Sequence, residues 1–310
     1  MVRLSTIILS LFIFLVSFQA QAKNPPPGTG TSDIPANILI MLDNSGSMSA
    51  KLYNSVQVYY PLDVATDSSG NVYVMEYYNN RIKVFDSSGA YLRSFGGYGT
   101  NCNRWQYARQ FAIYDDKIYI ADTYGHRIKV LNLTGGCIDH TTLAYSYPHA
   151  IAVNSKYVYV GNNTSRIWIH QRGRINAMNN YNAGSNLSYS WGMSLDSGGS
   201  RLFIADYVKN RLVEFIATGS SFSGGGQAML RYSNAGNTSY SSSNGYFRRL
   251  TDTGYDSSGN TYALDLYGHR IQKFNSSLVY QAKTGSYSTS SGFRYPYGMH
   301  IDSSDNIYVT

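Results

Sequence analysis

Asp63-Val-Ala-Thr-Asp-Ser-Ser-Gly-Asn-Val-Tyr-Val-Met-Glu76 and Asp252-Thr-Gly-Tyr-Asp-Ser-Ser-Gly-Asn-Thr-Tyr-Ala-Leu-Asp265 are one segment written twice, and their likeness decides the fold. Each continues through a short polar turn into an apolar alternation opened by arginine, Arg81-Ile-Lys-Val-Phe85 in one and Arg270-Ile-Gln-Lys-Phe274 in the other. The pattern recurs between them. An aromatic stands at Tyr73, Tyr119, Tyr159, Phe203, Tyr262 and Tyr308; then comes Glu76, Asp122, Asn162, Asp206 or Asp265; then Arg81, Arg127, Arg166, Arg211 or Arg270. The interval is in the forties except between Phe203 and Tyr262, where an insertion from Ala217 to Arg249 lengthens it. Self-similarity at such a period marks a repeat architecture.

The physics of one unit follows from its residues. In Asp-Ser-Ser-Gly-Asn the Asp and Asn side chains bond their own backbone and Gly supplies a positive φ, so the segment is a turn. Apolar residues alternate with period two on either side, so the turn joins strands. A lone meander cannot bury both faces, so successive units must pack face to face, and a period in the forties fits four-stranded blades around a central channel. The acid and the Arg bracket the turn between the second and third strands, where an ion pair would fix its shape. A group repeated in every unit serves the blade rather than one reactive centre. Composition agrees: 15% aromatic and 14% charged residues, with 30 Tyr and 29 Gly, favour half-buried strands and tight turns over amphipathic helices.

The expected fold class is therefore all-β, a six-bladed β-propeller over 52–310 with an incomplete last blade. Its sixth unit opens with Tyr295-Pro-Tyr-Gly-Met-His-Ile-Asp302 and stops at Thr310, before its acidic marker. The expectation is a piece of a longer protein, with two strands of the closing blade either absent or partly supplied by Leu52–Tyr60, where Val56, Val58 and Tyr60 alternate. The turn before the Arg reads Tyr78-Asn-Asn80-Arg81, Tyr124-Gly-His126-Arg127 and Tyr267-Gly-His269-Arg270. These residues resemble the NHL family, named for an Asn-His-Leu stretch beside the Arg, with the histidine kept in two units. The resemblance runs from about Pro61 to Thr310 and implies a six-bladed propeller, a fold that hosts several unrelated functions.

Ahead of the repeats, Arg3, an apolar stretch from Ile7 to Phe18 and Ala20-Gln21-Ala22 read as a secretory signal over 1–22. The stretch falls short of the ~20 apolar residues that a membrane span requires. The expected chain is exported, to the periplasm, the cell surface or beyond, with no transmembrane segment in its mature part. Residues 23–36 are a Pro- and Gly-rich linker. In 37–51 the apolar run Asn37–Leu42 has the look of a buried parallel strand and ends in Asp43-Asn-Ser45-Gly-Ser47-Met48. This segment resembles the first strand of a von Willebrand factor A domain, an α/β fold whose Asp-x-Ser-x-Ser loop holds a divalent cation. The resemblance implies Mg2+ or Ca2+ on Asp43, Ser45 and Ser47. Repeats begin too soon for the domain to be complete, which implies a propeller inserted into it. Signal, linker, metal loop and propeller together resemble bacterial type IV pilus tip-associated adhesins. They imply a surface-binding protein in a pilus or envelope complex, with a protein or surface polysaccharide as ligand.

The remaining features weigh binding against catalysis. A net charge of +7 favours anionic surfaces, while no basic run or Arg/Lys-rich helix offers a nucleic-acid groove. Cys102 and Cys137, an even number in an exported chain, form either one disulfide or two small core residues. His149 and His300 near inner strands are the candidates for a channel metal in the alternative reading, a propeller lyase or lactonase. They occupy different offsets after Pro148 and Pro296, so they are not expected to share a metal. Gly-x-Ser-x-Gly is absent. In the long insertion, Phe222, Tyr232, Tyr240 and Tyr246 with Arg248 form either a surface that stacks on sugars or peptides, or a Gly/Ser loop without fixed shape.

Overall fold

The computed structural model describes residues 40–41, 57–144, 146–182, 187–216, 229–232, 240–287 and 293–310. Every regular element among them is a β-strand. Blade 1 is built from Pro61–Thr66, Val72–Glu76, Arg81–Phe85 and Tyr91–Gly96, in that spatial order and antiparallel throughout. Blades 2 to 5 repeat the four-stranded meander, with inner strands Phe111–Tyr114, Ala150–Val153, Ser190–Leu195 and Leu250–Tyr255. Each inner strand is followed by a buried second strand: Lys117–Asp122, Tyr157–Gly161, Arg201–Asp206 and Thr261–Asp265.

The repeated aromatic has two tasks. Its ring fills the space between neighbouring sheets: Tyr73, Tyr119, Phe203 and Tyr262 are all at most 2% exposed. Its hydroxyl reaches the turn before it. Tyr73 Oη donates to Asp67 at 3.1 Å, Tyr262 to Asp256 at 3.0 Å and Tyr308 to Asp302 at 3.0 Å. The same carboxylates cap the turn backbone, as when Asp67 Oδ1 accepts from Ser69 and Asn71 at 2.9 Å. Phe203 lacks the hydroxyl, and there Asp196 turns to Ser200 and the backbone of Arg201 instead. Tyr262→Phe is expected to cost about 1 kcal/mol in unfolding free energy, measured by urea denaturation, because Asp256 keeps its other donors and loses one buried bond.

Apolar side chains interleave between every neighbouring pair of sheets. Tyr73, Ile82 and Trp105 pack with Ile118 and Ile120 between blades 1 and 2, and Tyr262, Ile271 and Phe293 pack with Met299 and Ile307 between blade 5 and the last sheet. Val58, Val64, Val74 and Phe85 enclose Tyr308, which closes the ring from the last sheet back to the first.

That last sheet departs from expectation. Among the described residues it has three strands, in the order Ile40–Met41, Ile307–Val309, Met299–Ile301. Ile40 pairs with Tyr308 and Met41 with Val309, in parallel. Ile40 and Met41, the described residues of the apolar run, thus pair along the edge of the last sheet, and the A-domain loop expected after them lies outside the described residues. A continuous apolar run fits either kind of buried strand, so the sequence pattern alone did not separate them. Of Leu52–Tyr60, only residues 57–60 are described, and none of them is a strand. This described end packs on blade 1, where Lys83 Nζ donates to the Gln57 carbonyl and Tyr59 N–H donates to Glu76 Oε1 at 2.6 Å.

Candidate functional site

An up-and-down blade sends its 2–3 turn and its link to the next blade to one end of the channel, and its 1–2 and 3–4 turns to the other. The two ends differ in chemistry. The turn carboxylates Asp67, Asp86, Asp196, Asp256 and Asp302 belong to the second end. The first end is tyrosine-rich. Of the exposed tyrosines among the described residues, all but Tyr91 lie in its turns and links, including Tyr78 at 55% and Tyr124 at 48% exposure. Their rings meet edge to face around the rim: Tyr60 with Tyr78 at 4.8 Å, Tyr107 with Tyr124 at 5.7 Å, Tyr124 with Tyr147 at 5.5 Å and Tyr267 with Tyr295 at 5.8 Å.

A polar plug separates the ends. Asp63 Oδ2 accepts from Phe111 N–H at 2.8 Å, Gln110 Oε1 from Ile151 N–H at 2.8 Å and Met193 N–H at 3.1 Å, and Asp252 Oδ2 from Met299 N–H at 2.8 Å. Gln110 Nε2 joins Asp252 Oδ1 at 3.2 Å. Each long side chain thus reaches across to another blade's inner strand. The equivalent positions in the other blades are Ala150, Gly192 and Gly298, and the two glycines are small of necessity. A Cβ on Gly192 would lie 2.4 Å from Asp252 Oδ1, and one on Gly298 would lie 2.5 Å from the Leu62 carbonyl oxygen. Burial raises both carboxyls well above their usual range, reinforced at Asp63 by the Asp252 charge, and Asp252 is pushed up to about 7.

On the tyrosine side of the plug the preceding residues form the mouth: Arg109, His149, Trp191 and Tyr297. The Arg109 guanidinium carbon lies 4.4 Å from the Trp191 ring centre and 5.7 Å from that of Tyr77. Tyr207 stacks on Trp191 at 4.4 Å. His149 Nε2 is 3.1 Å from Tyr189 Oη, and burial followed by the Arg109 charge pushes the imidazole down to about 3, so it is neutral at ordinary pH. His149 Nδ1 and Arg109 Nε are buried without a hydrogen-bond partner, and Arg109 has no ion pair among the described residues. His300 lies beyond the plug. It bonds Thr66 Oγ1 at 2.9 Å in a cavity of ≈ 290 Å³ at the acidic end, and burial pushes it down to about 4. His149 and His300 therefore share no site.

The repeat markers sit behind the rim. Arg127 reaches Asp122 at 3.2 Å, Arg211 reaches Asp206 at 3.3 Å, Arg270 reaches Asp265 at 3.0 Å, and Arg81 pairs with Glu76. Each acid also holds the chain entering its own blade, as in Gln106 N–H to Asp122 at 2.7 Å and Arg248 N–H to Asp265 at 2.6 Å. Asn162 in the third unit is neutral: it caps Thr164 at 3.1 Å, while Arg166 lies over Trp168 at 5.9 Å. The residue before the Arg carries a second device. Asn80, His126, Asn210 and His269 all have φ between 50° and 53°, and each accepts from a backbone N–H of the next blade: Tyr107 at 2.5 Å, Tyr147 at 3.1 Å, Arg249 at 3.0 Å and Tyr295 at 3.2 Å. Asn and His meet both demands, an acceptor near the backbone and tolerance of left-handed φ.

Residues 58–85 match the NHL repeat family.

The bond to the next blade's backbone explains why Asn and His interchange at Asn80, His126, Asn210 and His269, the position before the Arg. No curated protein matches the chain. Among solved structures, it is similar to a streptogramin B lyase at 14% identity and TM-score 0.58, covering 83% of this chain and 85% of that one. It is also similar to virginiamycin B lyase from Staphylococcus aureus, at 13% identity and TM-score 0.55 over 76% and 72% of the two chains. A protein of unknown function from Bacteroides thetaiotaomicron aligns at 13% identity and TM-score 0.59, over 80% and 66%. Likeness at these identities is likeness of fold.

The other expected residues scatter. Cys102 and Cys137 form a disulfide with Cα atoms 5.6 Å apart, tying the link after blade 1 to the outer strand Cys137–Thr142 of blade 2. Of the insertion, Tyr240 and Arg248 come together, the guanidinium carbon 4.9 Å from the ring centre. Tyr246 instead turns its carbonyl to Arg270 Nη2 at 2.8 Å and Gln272 Nε2 at 2.7 Å. Tyr232 ends the strand Met229–Tyr232, and Phe222 lies outside the described residues, as do Asp43, Ser45 and Ser47. The mouth residues Arg109 and Trp191 were not anticipated: neither belongs to the repeated pattern, and departure from that pattern at inner-strand entries was the available signal.

Proposed function

We propose that this chain is an exported binding protein that presents its tyrosine-rich end to a surface polysaccharide, as one part of an adhesive or envelope complex. The supporting observation is the concentration of exposed tyrosines at one end of the channel, where the repeat acids Glu76, Asp122, Asp206 and Asp265 are fully buried. Aromatic rings flanking arginine side chains form a surface on which sugar rings stack. The test is retention of the full chain on immobilised polysaccharides, compared between the wild type and a Tyr78→Ser/Tyr124→Ser variant. A loss of ~10-fold or more in apparent affinity is expected from removing two stacking rings at about 1 kcal/mol each. Equal retention would overturn the reading. The loop of Asp43, Ser45 and Ser47, expected to take Mg2+ or Ca2+, adds an independent contribution to attachment, tested in the same assay by adding each cation to wild type and Asp43→Ala.

A second reading has support from the lyases among the structural neighbours and from the His149–Tyr189 contact at the mouth. In it the same mouth carries out an elimination. New ultraviolet absorbance from an unsaturated product during incubation with the bound polysaccharide would favour it over simple binding.

A further inference from the structure

We infer that the channel mouth is a receptor for the carboxylate of an acidic sugar, with Arg109 as its anchor. This rests on the polysaccharide reading above and names the class of sugar. Arg109 is held as if for a ligand. Its guanidinium is fixed between Trp191 and Tyr77, at 4.4 and 5.7 Å from the ring centres, so its rotamer freedom is already spent. No carboxylate among the described residues pairs with it, whereas Arg127, Arg211 and Arg270 behind the rim each have one.

A second polar group at the mouth is also unused. His149 is 5% exposed, its Nε2 is engaged by Tyr189, and its Nδ1 has no partner. A buried polar atom without a bond is costly, and a ligand oxygen arriving at the mouth relieves that cost. Charge selects the ligand. The acids of this end are buried and neutralised, while Arg109 over Trp191, Arg249 over Tyr207 and Arg248 over Tyr240 lie among aromatic rings, so an anion is drawn to the mouth and a cation is not. A planar guanidinium matches the two oxygens of a carboxylate, and the exposed rings of Tyr78 and Tyr124 flank the approach with faces suited to a pyranose. A hexuronate residue satisfies both requirements in one unit.

The experiment measures binding of oligogalacturonate, its methyl ester and its carboxyl-reduced form to the full chain by calorimetry, with folding checked by circular dichroism. The acid form is expected to bind about 10- to 100-fold more tightly than either neutral form. Arg109→Gln is expected to abolish that preference and Arg109→Lys to restore part of it, whereas Arg172→Ala, beside Asp115 at the opposite end of the channel, leaves it within about 2-fold. If all three saccharides bind alike, the carboxylate receptor is wrong and the polysaccharide reading stands. If none binds, both fail. Equal losses for Arg109→Gln and Arg172→Ala would assign the preference to diffuse charge and overturn the inference.

Discussion

Replacing Asp265 with alanine is expected to lower the unfolding free energy by about 3–5 kcal/mol, because it strands a cation inside the protein. Asp265 is fully buried and the side chain of its partner Arg270 is only 5% exposed. The carboxylate also accepts from Arg248 and Gly268 N–H, so its loss leaves several donors unmet. Arg270 keeps the carbonyls of Ser242, Ser243 and Tyr246, which disperse its charge without neutralising it. The third unit supplies the control. There Arg166 is exposed and Asn162 is uncharged, so Asn162→Ala is expected to cost only about 1–2 kcal/mol. Urea denaturation of both variants decides the point: equal costs would mean that the ion pair contributes no more than its hydrogen bonds.

The pH dependence of stability is expected to be flat between pH ~4 and ~6.5 in the wild type and steep in variants, because two opposed sets of groups titrate in that window. The Asp63–Asp252 pair has raised values, so the folded state holds their protons more tightly than the unfolded chain. Their contribution is complete below the ordinary carboxylate range and is lost as pH rises, through about 7 for Asp252. His149 and His300 are pushed down to about 3 and about 4 by burial. Their contribution is complete above the ordinary imidazole value and is lost as pH falls toward those figures. Removing one set exposes the other. In Asp63→Asn/Asp252→Asn, stability should rise with pH across the window by about 1.4 kcal/mol per unit for each uncompensated histidine. In His300→Gln the slope should tilt the opposite way. Denaturant titrations at a series of pH values test this, and a double Asn variant with the wild-type slope would show that the plug carboxyls do not hold protons in the folded protein.

The blade was legible because its physics is local. The Asp-Ser-Ser-Gly-Asn turn, the alternation around it and the recurring Tyr, acid and Arg each act within one meander, so they repeat visibly. The second role of those residues was only partly legible. Nothing in a single unit says that Tyr262 sends its hydroxyl back to Asp256, or that Asn80 and His269 reach the neighbouring blade through the same atom position. The mouth was least legible. Arg109 and Trp191 come from different blades and meet only because the ring places their inner-strand entries side by side, a relation with no signature along the chain. The apolar run Asn37–Leu42 was ambiguous for the converse reason: its composition specifies a buried strand without saying which sheet the strand joins.

The parallel pairing of Ile40–Met41 with Ile307–Val309 has a mechanical consequence. Tension applied upstream of Ile40 and downstream of Val309 pulls the two strands along their lengths in opposite directions, so their hydrogen bonds are sheared together instead of peeled one after another. A molecule tethered through one flank and loaded through the other would thus meet its first resistance at the seam of the ring, before any blade is drawn open.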